Sequence, residues 1–157
     1  MQFGAIGRII HGLAPFLVLP LLGSLAAAQN SKNGDYLKNI ELCNGSGRTS
    51  FEVRIKGCTG LIDSGQGTTT ALAIAYNNRG NAHTAKGDYD RAIQDFDKSI
   101  KLDPAYAKPL NNRGAAYLRK GEYDLAIESF DEAIKLKPNY GGAFANRAGA
   151  YLKKNEY

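Results

Sequence analysis

The sequence predicts an all-α fold, a solenoid built from stacked antiparallel helix hairpins. The tripeptide Asn78-Arg79-Gly80 recurs as Asn112-Arg113-Gly114 and then as Asn146-Arg147-Ala148, at one constant spacing. The same spacing relates glycine, aromatic and proline positions of successive copies, namely Gly87 and Gly121, Phe96 and Phe130, and Pro104 and Pro138. A fixed period of about 34 residues indicates a solenoid, in which each unit is too small to bury its own apolar face. Such an architecture favours a binding surface over a catalytic pocket.

Residues 1–28 are predicted to be a cleaved signal peptide. Arg8 supplies a positive charge, residues 13–25 are apolar, and Ala26-Ala27-Ala28 offers a cleavage site of small residues. The apolar stretch is too short for a comfortable transmembrane span, and Pro15 and Pro20 interrupt it. An uncleaved anchor is the alternative. We therefore expect a periplasmic or secreted protein with no stable membrane span after cleavage.

The charge and the composition argue against several classes of function. The formal net charge of the chain is +5, and the basic residues are spread along it rather than concentrated in a stripe. Nucleic-acid binding is therefore not expected. His83 is the single histidine after residue 28, and no nucleophile motif appears. We therefore expect no catalytic residues, no metal site and no cofactor.

Residues 29–64 are predicted to form a degenerate hairpin that caps the N-terminal end of the stack. Thr49-Ser50-Phe51-Glu52 has capping-box spacing ahead of its second helix. Cys43 would lie on a short first helix and Cys58 on the second. An even cysteine count in an exported chain favours one disulfide between them, and two buried free thiols are the alternative.

The remaining chain is divided into a linker, two complete hairpins and part of a third. In the linker, residues 65–70, glycines end the preceding helix and threonines cap the next one. Residues 71–104 and 105–138 are the complete hairpins. In the first, Gly87 separates the helices and Asp88 is the expected N-cap of the second helix, whereas Asp103-Pro104 is expected to begin the following helix. Residues 139–157 form the first helix of a third hairpin.

These residues resemble the tetratricopeptide repeat, in the form found in exported bacterial proteins with Asn-Arg-Gly repeats. The first copy matches through an aromatic, two small residues, a second aromatic and a closing proline, at Tyr76, Gly80, Ala92, Phe96 and Pro104. The second copy matches through Gly114, Tyr117, Ala126, Phe130 and Pro138, and the third through Phe144 and Tyr151. The resemblance covers about residues 71–157 and implies a right-handed α-solenoid. It also implies a concave groove lined by the first helix of each hairpin.

The resemblance implies an adaptor that binds a protein or an extended peptide in that groove. Asparagine amides both donate and accept hydrogen bonds, so they can hold a ligand backbone without demanding a particular side chain. A hydrated face with no ligand is the alternative. The groove candidates are Asn77, Asn78, Asn81, Lys108, Asn111, Asn112, Arg119, Asn146 and Lys153.

One departure from the family pattern restricts the range of expected partners. Chaperone-binding members grip a terminal carboxylate with lysine, asparagine and arginine, and Asn81 and Asn112 match the asparagines of that clamp. Its cationic positions are filled here by Asn77, Gly142 and Asn146. Without those charges, a carboxylate clamp of this kind is not expected.

The repeated arginine departs from the leucine that is usual in the family. We expect the guanidinium groups of Arg79, Arg113 and Arg147 to reach an acid such as Asp95 on the paired helix. The alternative is a row of solvated arginines.

The predicted C-terminal helix has apolar side chains that no following helix covers. This feature suggests two alternative functions. Residues 155–157 read like the start of a further helix, which favours a truncated form of a longer array. If the end is native, we expect a homodimer through Phe144, Tyr151 and Leu152. The rival functions are such a self-associating structural module and an accessory subunit of a cell-envelope enzyme complex.

Overall fold

The computed structural model describes residues 19–45 and 49–155, and within these ranges it contains seven α-helices and no strand. The helices are α1 (Leu19–Asn44), α2 (Phe51–Asp63), α3 (Thr69–Lys86), α4 (Tyr89–Leu102), α5 (Ala107–Lys120), α6 (Tyr123–Leu136) and α7 (Gly141–Asn155). The predicted all-α solenoid is confirmed. None of these described helices combines the length and the apolar character needed to cross a bilayer.

The chain divides into two units, residues 1–34 and residues 35–157. In the first unit the structure describes the turns of α1 from Leu19 onward, and the part of the predicted signal peptide before Leu19 lies outside the described residues. Helix α1 is longer than the short helix that we expected. It runs through the predicted cleavage site between Ala28 and Gln29, and both of these residues are exposed.

The second unit is a stack in which each helix packs on the next. Helix α3 pairs with α4 and α5 with α6, while the contacts of α4 with α5 and of α6 with α7 join successive hairpins. Helix α5 also contacts both α3 and α7 directly, whereas α4 and α6, both fully described, do not contact each other. The layer of first helices is therefore the inner, concave side of the described stack.

The same close contact holds each complete hairpin together. Phe96 and Phe130 are fully buried, and each ring lies against a glycine of the paired helix. A Cβ atom at Gly80 would lie 2.6 Å from Phe96 Cε1, and one at Gly114 would lie 2.6 Å from Phe130 Cε1. Glycine at this position therefore lets the two helices approach across an aromatic ring.

Local sequence explains most helix ends. Gly87 and Gly121 end α3 and α5 with φ of 84° and 81°, which glycine adopts without steric cost. Thr68 caps α3, because the amide of Ala71 donates to its hydroxyl at 3.1 Å. Ser50 rather than Thr49 caps α2, and the amide of Val53 donates to the Ser50 hydroxyl at 3.3 Å, consistent with a helix beginning at Phe51.

Of two expected helix starts, one was confirmed in its position and the other was wrong. Asp88 is the N-cap residue of α4, although its side chain makes no capping hydrogen bond. Asp103 ends α4 instead of beginning α5, which starts at Ala107. Because Pro104 disfavours helical geometry at the residue before it, Asp103 is extended, with φ −140° and ψ 88°, and its carboxylate accepts from the amide of Ala105 at 3.2 Å. Helix α3 in turn begins at Thr69, inside the predicted linker.

The N-terminal hairpin of the second unit is joined by a disulfide between Cys43 of α1 and Cys58 of α2. Both cysteines are buried, and they pack with Leu61 and Ala75. The structure therefore pairs the two cysteines as expected and holds no free thiol in its described part.

Candidate functional site

The predicted groove residues all lie on the first helices. Helix α3 carries Asn77, Asn78 and Asn81, α5 carries Lys108, Asn111, Asn112 and Arg119, and α7 carries Asn146 and Lys153. The constant repeat period places the equivalent positions of successive hairpins side by side. In the structure, some of these residues belong to a row of hydrogen-bonded amides, and others line separate cavities.

Six asparagines on four successive first helices form one continuous chain of side-chain hydrogen bonds, which we call the amide row. The bonds between hairpins are 2.9 to 3.2 Å long, and the bonds between adjacent residues of one helix are 3.3 and 3.4 Å. Each amide donates to the next in the order Asn146, Asn111, Asn112, Asn77, Asn78 and Asn44.

The amide row gives most of the predicted asparagines a structural partner. Asn77 is only 3% exposed, so it packs within the stack rather than facing solvent. An amide has two N–H donors and two lone pairs, and each interior member of the row uses one of each. Asn112 therefore keeps a second N–H and a second lone pair. Sequence analysis did not identify Asn44 as a groove residue, although it lies one repeat period before Asn78.

A polar cavity of about 590 Å³ lies between α3, the turn that follows it, and α5. Three of the predicted groove residues, Asn81, Asn112 and Arg119, line it together. Asn81 and Arg119 make no hydrogen bond or ion pair within the described residues. The other lining residues are Thr84, Ala85, Lys86, Gly87, Tyr89 and Ala115.

A second, apolar cavity of about 180 Å³ lies where α1 meets α3. Asn44 lines it, so the cavity adjoins the end of the amide row. The sequence did not predict this cavity, because it depends on how the N-terminal hairpin packs on the first repeat. The other lining residues are Tyr36, Ile40, Cys43, Leu61, Gln66, Ala71, Leu72, Ile74 and Ala75.

The two remaining groove candidates lie apart from both cavities. Lys108 lines a separate hollow with Tyr106, Leu136 and Tyr140. Lys153 is exposed near the end of α7.

The hypothesis that the repeated arginines reach an acid is confirmed for Arg79. Its guanidinium donates to both carboxylate oxygens of Asp95 at 2.8 Å, and it also donates to the hydroxyl of Thr59 at 3.0 Å. Asp95 is 4% exposed, and its hydrogen bonds raise the pKa of Arg79 above the usual value. Since Thr59 belongs to α2 and Asp95 to α4, Arg79 links two hairpins.

The later copies of the arginine use different acids. Arg113 donates to the hydroxyl of Ser129, which replaces Asp95 in the repeat, and to Asp97 and Glu132 at 3.0 and 2.7 Å. Arg147 bonds Asp131, which is the counterpart of Asp97 in the next hairpin. All three arginines bond a residue of the preceding hairpin, so the alternative of a solvated row is wrong.

The described residues contain no group of three or more histidine, cysteine, aspartate or glutamate side chains arranged to hold a metal ion. The chemistry available at the concave face is therefore that of amides, hydroxyls and cations. Such a face can hydrogen bond a peptide backbone and attract anionic groups.

Comparison with known proteins identifies the repeats. A family model described as TPR repeat matches residues 80–121, and one described as Tetratricopeptide repeat matches residues 107–140. No curated protein sequence matches the chain. The chain therefore contains tetratricopeptide repeats.

Several solved structures share the fold of this chain. The second TPR domain of human RPAP3, solved with the HSP70 peptide SGPTIEEVD, has a TM-score of 0.66 and 23% identity, covering 76% of this chain and 98% of that one. MamA has a TM-score of 0.66 and 25% identity, covering 85% of this chain and 74% of that one. The O-GlcNAc transferase of Thermobaculum terrenum has a TM-score of 0.65 and 19% identity, covering 76% of this chain but 22% of the enzyme.

Proposed function

We propose that this chain is a non-enzymatic adaptor, exported to the periplasm, that binds a protein or an extended peptide on the concave face of its first helices. The observation that carries the proposal is the polar cavity between α3 and α5, where Asn81, Asn112 and Arg119 converge. The fold is shared with the RPAP3 domain that holds an HSP70 peptide. That shared fold supports a protein-binding role, and the cavity supports its placement in the groove.

The polar cavity offers the groups that an extended peptide requires. A peptide in extended conformation presents unpaired backbone N–H and C=O groups. Asn81 and Asn112 can donate to and accept from that backbone, and Arg119 can donate to a carbonyl or a carboxylate. Asn81 and Arg119 have no competing partner within the described residues.

The proposed ligand is not the terminal carboxylate of a chaperone peptide. One cationic position of that clamp is held by Asn77, whose side chain is buried in the amide row, and another by Gly142, which has no side chain to offer. The third is held by Asn146, a neutral amide that donates to Asn111. The proposal therefore shares the mode of binding with chaperone-binding domains and not the ligand.

The test uses Asn81→Ala with Arg119→Ala, because both side chains are free of structural bonds in the described part of the chain. Peptides selected on the full chain from a random dodecapeptide display library should bind the double variant at least about tenfold more weakly, the effect of losing two ligand hydrogen bonds. The control is Gln94→Ala with Lys135→Ala, two exposed residues of the second helices. Circular dichroism should be unchanged in both. Failure to select any peptide, or equal binding by the double variant, would contradict the proposal.

Export is tested separately, by expression of the full chain in a Gram-negative host. We expect a periplasmic product whose mass corresponds to cleavage between Ala28 and Gln29, since the small residues there suit signal peptidase. A product of full-length mass in the membrane fraction would instead identify an uncleaved anchor.

Self-association through α7 is a second candidate function. Phe144, Tyr151 and Leu152 are 41%, 47% and 66% exposed, so α7 presents three large apolar side chains to solvent. This candidate expects concentration-dependent dimers in sedimentation that Phe144→Asp abolishes. Sedimentation of the full chain as a monomer at high concentration would remove it.

A further inference from the structure

We propose that the ligand of the concave face is an extended acidic segment with an apolar side chain that enters the apolar cavity at the α1–α3 junction. An acidic side chain of the same segment, about four or five residues away, would pair with Arg119. This inference rests on the proposed peptide-binding function and specifies the chemistry of the ligand.

The apolar cavity has the size and the lining of a side-chain pocket. An apolar protein cavity of roughly 150 Å³ is large enough to bind a benzene molecule. The cavity here measures about 180 Å³, so a leucine or phenylalanine side chain fits it. Ile74 is 40% exposed at this site and would lose contact with water when the pocket fills.

The N-terminal hairpin is what makes this junction apolar. Ile40 and Ile74 occupy the same position in successive hairpins, and the next copy of that position is Lys108. Two isoleucines at this repeat position therefore lie side by side where α1 meets α3, and both line the cavity. The disulfide holds Cys43, which lines the pocket, against α2. Between α3 and α5 the corresponding pair is Ile74 and Lys108, so the pair of isoleucines is not repeated there.

Among the first helices, α3, α5 and α7 carry charge of one sign only, whereas α1 carries both Lys32 and Lys38 and Asp35 and Glu41. Helices α3, α5 and α7 hold nine lysines and arginines and no acidic residue, whereas α4 and α6 hold seven acidic residues. Six of the nine cations form ion pairs with acids outside their own helix, for example Lys120 with Asp90. Lys108 and Arg119 have no acidic partner within the described residues. Of these two, Arg119 lines the polar cavity, and an acidic side chain of the ligand supplies the charge that it lacks.

The spacing of the two subsites sets the spacing in the ligand. Along α3, the apolar cavity is lined by Leu72 and Ile74, and the polar cavity by Asn81 and Thr84. About ten residues of helix correspond to roughly 15 Å. An extended peptide covers that distance in about four or five residues, at about 3.3 Å each. The amide row crosses α3 at Asn77 and Asn78, between the α3 residues that line the two cavities, so the peptide backbone would pass over it there.

Peptide selection tests the proposed ligand chemistry, because the enriched sequences show which residues the groove prefers. A random dodecapeptide library is panned on the full chain and on single variants. On the wild-type protein we expect enrichment of a large apolar residue paired with aspartate or glutamate about four or five positions away. On Ile74→Ser the apolar preference should be lost and the acidic one kept, and on Arg119→Glu the acidic preference should change to lysine or arginine. Leu125→Ser and Lys135→Glu, exposed residues of α6, are the matched controls and should keep both preferences.

The contribution of each subsite to the affinity is then measured with one synthetic peptide that contains the enriched pair. Its dissociation constant should rise about tenfold on Ile74→Ser, the factor that partial loss of a leucine-sized contact represents. Its binding should also weaken with added salt for the wild type and much less for Arg119→Ala.

The outcomes separate this inference from the proposed function. If no peptide is enriched, peptide binding itself is refuted. If peptides are enriched without the apolar and acidic pair, or if Ile74→Ser and Arg119→Glu select the wild-type pattern, binding stands and the proposed ligand chemistry is wrong.

Discussion

Gly114→Ala should destabilise the protein even though alanine is the better helix former. In the middle of a helix, replacing glycine by alanine normally contributes about 1 kcal/mol of stability. At Gly114 the new methyl group would lie 2.6, 2.8 and 2.9 Å from three ring atoms of Phe130. Carbon atoms pack at about 3.5 to 4.0 Å, so the ring or the helix must shift by about 1 Å. Phe130 is fully buried, and overpacking of this kind typically costs about 1–3 kcal/mol.

Gly149 is the matched control. It lies in the interior of α7, and a Cβ atom added there would meet nothing within 4 Å. Gly149→Ala should therefore stabilise the protein by the helix-propensity gain, about 0.5–1 kcal/mol. A second test combines Gly114→Ala with Phe130→Leu, which removes the ring atoms. In that background the alanine should no longer be harmful, so the two changes should be strongly non-additive.

The assay is urea unfolding followed by far-ultraviolet circular dichroism without reductant. The free energies of unfolding of Gly114→Ala and Gly149→Ala should differ by about 1–3 kcal/mol, the cost of overpacking. If Gly114→Ala is as stabilising as Gly149→Ala, or if its effect adds to that of Phe130→Leu, then close approach over the ring is not what requires glycine.

Two further predictions concern the links between hairpins. Asp95→Ala should lower the free energy of unfolding by about 3 kcal/mol, because it leaves the largely buried guanidinium of Arg79 without its carboxylate. A loss below about 1 kcal/mol in urea unfolding, the value of an exposed ion pair, would contradict this. Reducing the disulfide, or replacing Cys43 and Cys58 by serine, should cost about 3 kcal/mol by the loop-entropy model. Equal unfolding midpoints with and without reductant would show that the bridge contributes nothing.

Much of the fold was readable from local and periodic signals. The constant repeat period predicted the hairpins because stacked units must present the same apolar positions to one another. Gly87 and Gly121 ended helices as expected because the left-handed turn is a local requirement. The bond from Arg79 to Asp95 was also predictable, since it joins the two helices of one hairpin at a fixed spacing.

The errors arose where a local signal competed with its surroundings. Asp103-Pro104 carries the residues of a helix start, but the proline holds Asp103 extended, and the chain makes a turn before α5 begins at Ala107. In the hairpin of Arg113 the position of Asp95 is occupied by Ser129, which carries no charge. Arg113 therefore pairs with acids at other positions, and one of them, Asp97, belongs to the preceding hairpin.

The sequence by itself determined the all-α solenoid, its period, the cysteine pair and the helices on which the asparagines lie. Only the tertiary structure decided that those asparagines bond one another across hairpins, and that an apolar cavity opens beside Ile74. The physical reason is distance along the chain. Periodicity specifies what each hairpin presents, whereas an amide bond such as Asn112 to Asn77, or a cavity between α1 and α3, depends on how closely separate helices approach once stacked.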